Sequence, residues 1–174
     1  MRRVLVIGSG GAGKSTFSRR LGERLGLEVI HLDVEHWRPG WTEPPKAEWA
    51  RKVEELCRRE SWVMDGNFSG TLETRMEACD TVVFLDLPRT VCLWRVLKRL
   101  VMYWNARRPD AAEGCHEKFD LEFLLWVWNY GTRSRPKVVS LLEKYAESKT
   151  IVRLRSSAEA EEFLAGQTGQ YHPR

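Results

Sequence analysis

The chain has 174 residues, 43% hydrophobic and 30% charged, with 28 Lys and Arg against 24 Asp and Glu, a formal net charge of +4. That length holds one domain with a substantial core and leaves little room for a second. The mild positive balance suits small anionic ligands at least as well as nucleic acid. No stretch approaches a membrane span, because Arg95, Lys98 and Arg99 interrupt the longest apolar candidate. The apolar run behind Arg2 and Arg3 is too short for a signal peptide. These features predict a cytoplasmic protein. Cys57, Cys79, Cys92 and Cys115 are widely spaced and form no C-x-x-C pair. They read as reduced, mostly buried thiols, and Cys115-His116 lacks a second ligand pair for a metal.

In chain order, residues 4–7 form an apolar strand that runs into Gly8-Ser9-Gly10-Gly11-Ala12-Gly13-Lys14-Ser15, followed by Thr16. The stretch fits G-x-x-x-x-G-K-[ST], a phosphate-binding loop. Glycines let the backbone curl into a nest with inward N–H groups. Lys14 supplies a mobile cation, the Ser15 hydroxyl can ligate Mg²⁺, and the helix that follows adds its positive dipole end. Phe17, Leu21 and Leu25 give that helix its apolar stripe and Gly26 its stop. Further apolar strands are expected at residues 28–32, 62–64, 81–85 and 150–154. Unbroken apolar strands are buried on both faces, which predicts a parallel sheet covered by helices. Asp33, Asp65 and Asp86 then stand at strand C-terminal ends, the edge where open α/β sheets bind ligands.

Helices are expected over residues 46–59, 88–104 and 121–130, from about 136 to 146, and after the capping box Ser156-x-x-Glu159. In the second of these, Leu93, Val96, Leu97, Leu100 and Val101 are the apolar positions, with Arg95, Lys98 and Arg99 on the opposite face. The nest alone does not separate a kinase from a switch GTPase or a motor ATPase. The chain has no guanine-reading N-K-x-D motif and no acid beside Asp65, which is followed by Gly66-Asn67-Phe68. Small kinases remain, in which a lid of arginines closes over the phosphates. Arg95, Arg99, Arg107, Arg108, Arg133 and Arg135 are available for that, and planar guanidinium groups suit the charge of phosphoryl transfer.

The chain resembles the P-loop kinases of the adenylate kinase type. It is more narrowly similar to the bacterial DNA topology modulation proteins, or adenylate-kinase-related kinases. The segments that carry the likeness are residues 8–16, His31-Leu32-Asp33 with Trp37 and Trp41, Asp65-Gly66-Asn67-Phe68, Phe84-Leu85-Asp86-Leu87-Pro88-Arg89, and Glu113-Gly114-Cys115 through Phe119, Phe123, Trp126 and Arg133. The resemblance implies an α/β fold, a P-loop NTPase three-layer sandwich. Its five-stranded parallel sheet, in order 2-3-1-4-5, has helices on both faces and a helical lid. It implies one kinase domain over residues 1–174, an acceptor-binding insertion at about 34–60, a lid at about 105–136, and ATP with Mg²⁺. The chain departs from adenylate kinase where Asn67-Phe68-Ser69 replaces Phe-Pro-Arg and Asp33-Val34-Glu35-His36-Trp37 replaces Thr-Gly-Asp, which argues against AMP as acceptor.

Expected roles follow. Gly8, Gly10, Gly11, Ala12, Gly13, Lys14, Ser15 and Thr16 hold the donor phosphates, and Ser15 with Asp65 holds Mg²⁺. Asp33 orients the acceptor or takes its proton. Lys14, Asp33, Arg133 and Arg135 are the catalytic candidates. Asp33, Trp37, Asp65, Asn67 and Arg75 are the acceptor-site candidates. Arg75 reads equally as a surface salt bridge, and Trp37 and Trp41 as stacking platforms or core. The acceptor would be a nucleotide, nucleoside or similar small hydroxyl metabolite. Two rivals stay open: an ATP-binding regulatory protein that acts on DNA topology through nucleic-acid binding, using the basic run from Arg95 to Arg108 with Tyr103 and Trp104, and an ATPase switch.

Overall fold

Apolar runs of three to six residues recur along the chain, and the computed structural model, which describes residues 1–104, 106 and 111–167, assembles them into one sheet. Its strands are β1 (Arg3–Gly8), β2 (Val29–His31), β3 (Trp62–Asp65), β4 (Thr81–Leu85) and β5 (Thr150–Leu154). All neighbours are parallel and the order is β2-β3-β1-β4-β5, as expected. Alternate residues of each strand face opposite sides. Leu5 and Ile7 join Trp62, Met64, Val82 and Phe84 in one core layer, while Val4 and Val6 join Val63, Val83 and Leu85 in the other. The sheet is therefore greasy on both faces and needs helices on both.

Those helices are α1 (Lys14–Leu25), α2 (Leu32–His36), α3 (Lys46–Cys57), α4 (Leu72–Ala78), α5 (Arg89–Met102), α6 (Leu121–Arg133), α7 (Arg135–Tyr145) and α8 (Ser157–Gly166). Val53 and Leu56 of α3, Met76 of α4 and Leu142 of α7 close the first layer. Leu21 of α1, Val96 of α5, Val127 of α6 and Leu164 of α8 close the second. Local sequence sets several ends. Gly26 takes φ 66° and stops α1, the Asp120 carboxylate accepts the Phe123 N–H at 2.9 Å, and Ser156 Oγ accepts the Glu159 N–H at 3.1 Å. All four cysteines are buried and unpaired. Among the described residues no helix is long and apolar enough to cross a membrane.

The structure corrects the local expectations in three places. Strand β2 ends at His31, so Asp33 lies in the single-turn helix α2, where Leu32 and His36 on its inner side are buried. Arg75 is neither a phosphate ligand nor a surface salt bridge. It is fully buried in α4, where its guanidinium donates to the carbonyls of Gly66 (2.9 Å), Asn67 (2.9 Å), Phe68 (2.9 Å) and Thr71 (3.2 Å). Burial draws its pKa down to about 10, so it stays charged at neutral pH and pins the loop after β3 from below. Arg135, expected at the transferred phosphoryl group, instead chelates Asp86 at the end of β4 through Nε (2.9 Å) and Nη2 (3.0 Å). Arg153 of β5 bonds the same carboxylate from the other side, Nε to Oδ2 at 2.8 Å. Asp86 thus ties α7 to the sheet edge.

Two measurements test these assignments. Arg75→Ala leaves three loop carbonyls without donors and opens a cavity, so it should lower unfolding free energy by about 3–5 kcal/mol. Arg75→Lys should not restore the loss, because one ammonium does not span four carbonyls. Burial alone would raise the Asp86 carboxyl, but the bonds and charge of Arg135 and Arg153 outweigh it and hold the pKa below its ordinary value. Asp86 therefore adds stability above the usual carboxylate pKa of about 4, and that stability is lost as pH falls through the lowered folded-state value. Urea titrations at falling pH should show the gap between wild type and Asp86→Asn closing in that acid range.

Candidate functional site

The turn from β1 into α1 is held open by its own sequence. Gly11 and Gly13 adopt φ 75° and 93°, a region that side-chain-bearing residues rarely enter. Gly13 is the N-cap of α1, so no side chain caps the helix, and no acidic residue stands in its first turn. The first closed turn is Phe17 N–H to Gly13 C=O at 3.0 Å, which leaves the N–H groups of Lys14, Ser15 and Thr16 without intrahelical acceptors. The helix thus presents an uncapped positive end, the arrangement that binds anions. Lys14 folds back over the loop, donating from Nζ to Gly8 O (3.0 Å) and Ser9 O (2.9 Å). Burial lowers its pKa, while the carboxylates of Asp33 and Asp65 act in the opposite sense.

A cleft of about 940 Å³ opens over residues 10–16. Gly8 does not line it. It works from behind, as the last residue of β1, offering its carbonyl to Lys14 and its N–H to Asn67 Oδ1 at 3.3 Å. Topology sets the cleft's two ends. Helix α2 follows the edge strand β2 on one side of β1, and α8 follows β5 at the other edge, so the loop after β1 sits between them. Asp33, Trp37 and Trp41 line the α2 side together with Gly66, Asn67 and Phe68. Ser157, Ala160 and Leu164 line the α8 side.

The α2 side is an aromatic wall. The Trp37 and Trp41 rings meet edge to face at 5.5 Å, and the buried His36 packs behind them against Trp37, Trp49 and Phe68 at 4.9, 4.5 and 4.4 Å. Trp41 takes φ 62°, uncommon for a bulky residue. It is held there by Nε1 donating to His116 O at 2.9 Å, while Gly40 N–H bonds Gly114 O at 3.1 Å and Cys115 Sγ lies 3.3 Å from Arg38 O. The Glu-Gly-Cys segment is therefore the strap that fixes the tryptophan loop. Asp65 is 2% exposed and does not line the cleft; its Oδ2 lies 2.6 Å from His31 Nδ1.

The arginines of the cleft are not those favoured above. Arg133 is exposed at the end of α6 and Arg135 is bound to Asp86; neither lines the cleft. Arg107 and Arg108 lie outside the described residues, as does part of the expected lid. Arg95 and Arg99 occupy the place instead. Arg95 donates to Ala12 O (3.2 Å) and Ser157 Oγ (2.8 Å). Arg99 Nε sits 2.7 Å from Glu117 Oε1, with its guanidinium 5.7 Å from the centre of the Phe123 ring. The expected split of α5 into an apolar inner and a basic outer face is thus corrected. Cys92, Arg95, Val96 and Arg99, spaced three, four and seven apart, face the loop, and Leu97 and Val101 face outward. That spacing was readable in the sequence. What it packs against was not. Turning Arg95 and Arg99 inward also removes them from the exposed basic stripe that a nucleic-acid surface would use. Trp126 lines the cleft, whereas Trp128 is outside it beneath Arg89.

No family model matches the chain, and no curated protein matches it. Among solved structures it is similar to a shikimate kinase from Acinetobacter baumannii in complex with shikimate, at 18% identity and TM-score 0.54, over 95% of this chain and 90% of that one. It is similar at the same identity and TM-score to an unliganded sugar kinase from a Janibacter species, over 95% of this chain and 91% of that one. At this identity the likeness establishes the fold: the chain has the three-layer P-loop α/β architecture that these kinases share.

Proposed function

We propose that the chain is an ATP-dependent phosphotransferase that moves the γ-phosphoryl group to a hydroxyl of a small metabolite, a nucleotide, a nucleoside or a compound of similar size. The observation that carries the reading is the uncapped start of α1, with Lys14 beside it, opening into the same cleft as Asp33 and the tryptophan wall. The likeness to small-molecule kinases is of fold and supports the same class. So does the narrower resemblance noted in the sequence, since its Trp-rich and Glu-Gly-Cys segments are strapped together at the cleft.

The division of labour follows from position. Main-chain N–H groups at the start of α1 and the Lys14 ammonium hold the triphosphate tail, and the nucleoside lies toward α8. Lys14 bonds two carbonyls of its own loop, a stand-in arrangement that a phosphate oxygen displaces. Ser15 lines the cleft and would ligate Mg²⁺, whereas Asp65, bonded to His31 and outside the cleft lining, would act on the ion only through water. Among the described residues no three His, Cys, Asp or Glu side chains converge as a metal group, so the ion would take most ligands from phosphate and water, as Mg²⁺ commonly does. When bound it neutralises charge on the phosphates. Asp33 orients the acceptor hydroxyl and receives its proton, and Trp37 and Trp41 fix the acceptor body. Arg95 and Arg99, always charged and planar, lie over the loop to meet charge on the transferred group.

The reading is tested by screening nucleosides, nucleotides and sugar-like hydroxyl compounds for acceptor-dependent ADP release. Lys14→Ala should abolish turnover with every acceptor. Asp33→Asn should keep ATP affinity and lower kcat by about 10²–10⁴-fold; unchanged transfer would remove Asp33 from the reaction. Arg99→Met should lower kcat by about 10²-fold, whereas Arg133→Ala should leave it unchanged. ATP hydrolysis that no acceptor stimulates would favour the switch reading.

A further inference from the structure

Eleven large hydrophobic residues stand exposed among the described residues, and nine of them belong to α5, α6 and the segment between these helices. They are not scattered. On α5, Trp94, Leu97 and Val101 are 66, 37 and 79% exposed at spacings of three and four. On α6, Leu121, Leu125 and Trp128 are 58, 51 and 39% exposed at spacings of four and three. At 3.6 residues per turn each stripe lies about half a turn from the buried face of its own helix.

Both buried faces rest on the phosphate loop. A Cβ built on Gly10 would lie 2.8 Å from Phe123 and 2.9 Å from Val127 of α6, and one on Gly11 would lie 2.2 Å from the Cys92 carbonyl of α5. The two helices pack against each other, and the Arg89 guanidinium at the start of α5 sits 4.1 Å from the ring centre of Trp128 near the end of α6. They therefore run antiparallel, side by side on one support, and their outer stripes point away from it together. The six stripe side chains offer on the order of 600 Å² of apolar surface, the upper end of the largest patch on an ordinary monomer.

We propose that this face is a homodimer interface, in which α5 and α6 of two copies of the chain pack as a four-helix bundle about a two-fold axis. With a polar rim around it, an apolar patch of that size suits the centre of an interface of roughly 800 Å² per partner. The three- and four-residue spacing is that of a helix-packing seam, and a two-helix face of this kind can bury itself against its own copy. Its charge is self-complementary. Exposed Lys98 borders the α5 stripe and exposed Glu122 borders the α6 stripe, so laying α5 of one copy over α6 of the other brings opposite signs together. The inference does not rest on the kinase reading.

Sedimentation equilibrium of the full chain at micromolar concentration tests it. The wild type should show twice the 20.3 kDa chain mass. Leu97→Glu and Leu125→Glu, both at exposed positions, should each raise the dimer Kd by about 100-fold or more, with circular dichroism and ATP affinity unchanged. Lys98→Glu should weaken the dimer and adding Glu122→Lys should restore it. The proposal is overturned if the wild type sediments as one chain, if the glutamate variants stay dimeric, or if a monomeric wild type pellets instead with anionic phospholipid vesicles.

Discussion

A concentration of positive charge that its own helix leaves uncapped organises this molecule. The start of α1 has no capping side chain, no acid in its first turn and a desolvated ammonium laid across it. Such an end would normally attract an N-cap and a first-turn acid, each favourable by about 1 kcal/mol. The chain forgoes both, and Gly13 in the N-cap position is what permits it. The carboxylates that act on Lys14 come from α2 (Asp33) and the end of β3 (Asp65) rather than from α1 itself. The positive end is thereby left facing the cleft while the counter-charges stand to its side.

Keeping that loop bare imposes conditions on everything around it. Two helices lie directly on Gly10 and Gly11, where any side chain would collide with Phe123 or the Cys92 backbone. The same close approach rotates α5 so that Arg95 reaches the Ala12 carbonyl, and it fixes which side chains of α5 and α6 are left outside. On the opposite flank, the loop after β3 must hold Asn67 against the Gly8 N–H, and the buried Arg75 secures it through three carbonyls. A buried cation is costly unless fully bonded. Here its four hydrogen bonds to carbonyls make it a structural rivet rather than a ligand.

The parallel sheet, the glycine turn after β1 and the α1 stop were legible because each depends on residues adjacent in the chain: apolar runs, glycines at fixed spacing, a lysine after the last glycine; the strand order came from the family resemblance instead. The arginines were not. Arg75, Arg95, Arg99, Arg133 and Arg135 all carry one charge and one fork of donors, and their fates differ only by what faces them. Arg75 meets loop carbonyls, Arg135 meets Asp86, Arg133 meets solvent, and Arg95 and Arg99 meet the cleft. Those partners lie up to 83 positions away in sequence, as Ala12 does from Arg95. A local reading had no access to partners at that distance, and for Arg75, whose partners lie within nine positions, it had no access to the burial that turns the side chain inward. Strand β2 was overextended by Leu32 for a different reason: Leu32 continues the apolar pattern while the chain is already turning into α2.

Helices α5 and α6 therefore serve two masters through opposite faces. Their inner sides fix Arg95, Arg99, Phe123 and Trp126 above the loop, and their outer sides carry the apolar stripes. A rigid helix transmits a rotation from one face to the other, so anything that seats the stripes also sets the angle at which the arginines enter the cleft. The Arg99–Glu117 pair extends the connection, because Glu117 follows the Gly114–His116 strap that holds Gly40 and Trp41. Cleft arginines, tryptophan wall and outer helical face thus form one mechanical unit. A substitution in the outer stripe that alters arginine-dependent steps without touching triphosphate affinity would reveal that unit at work.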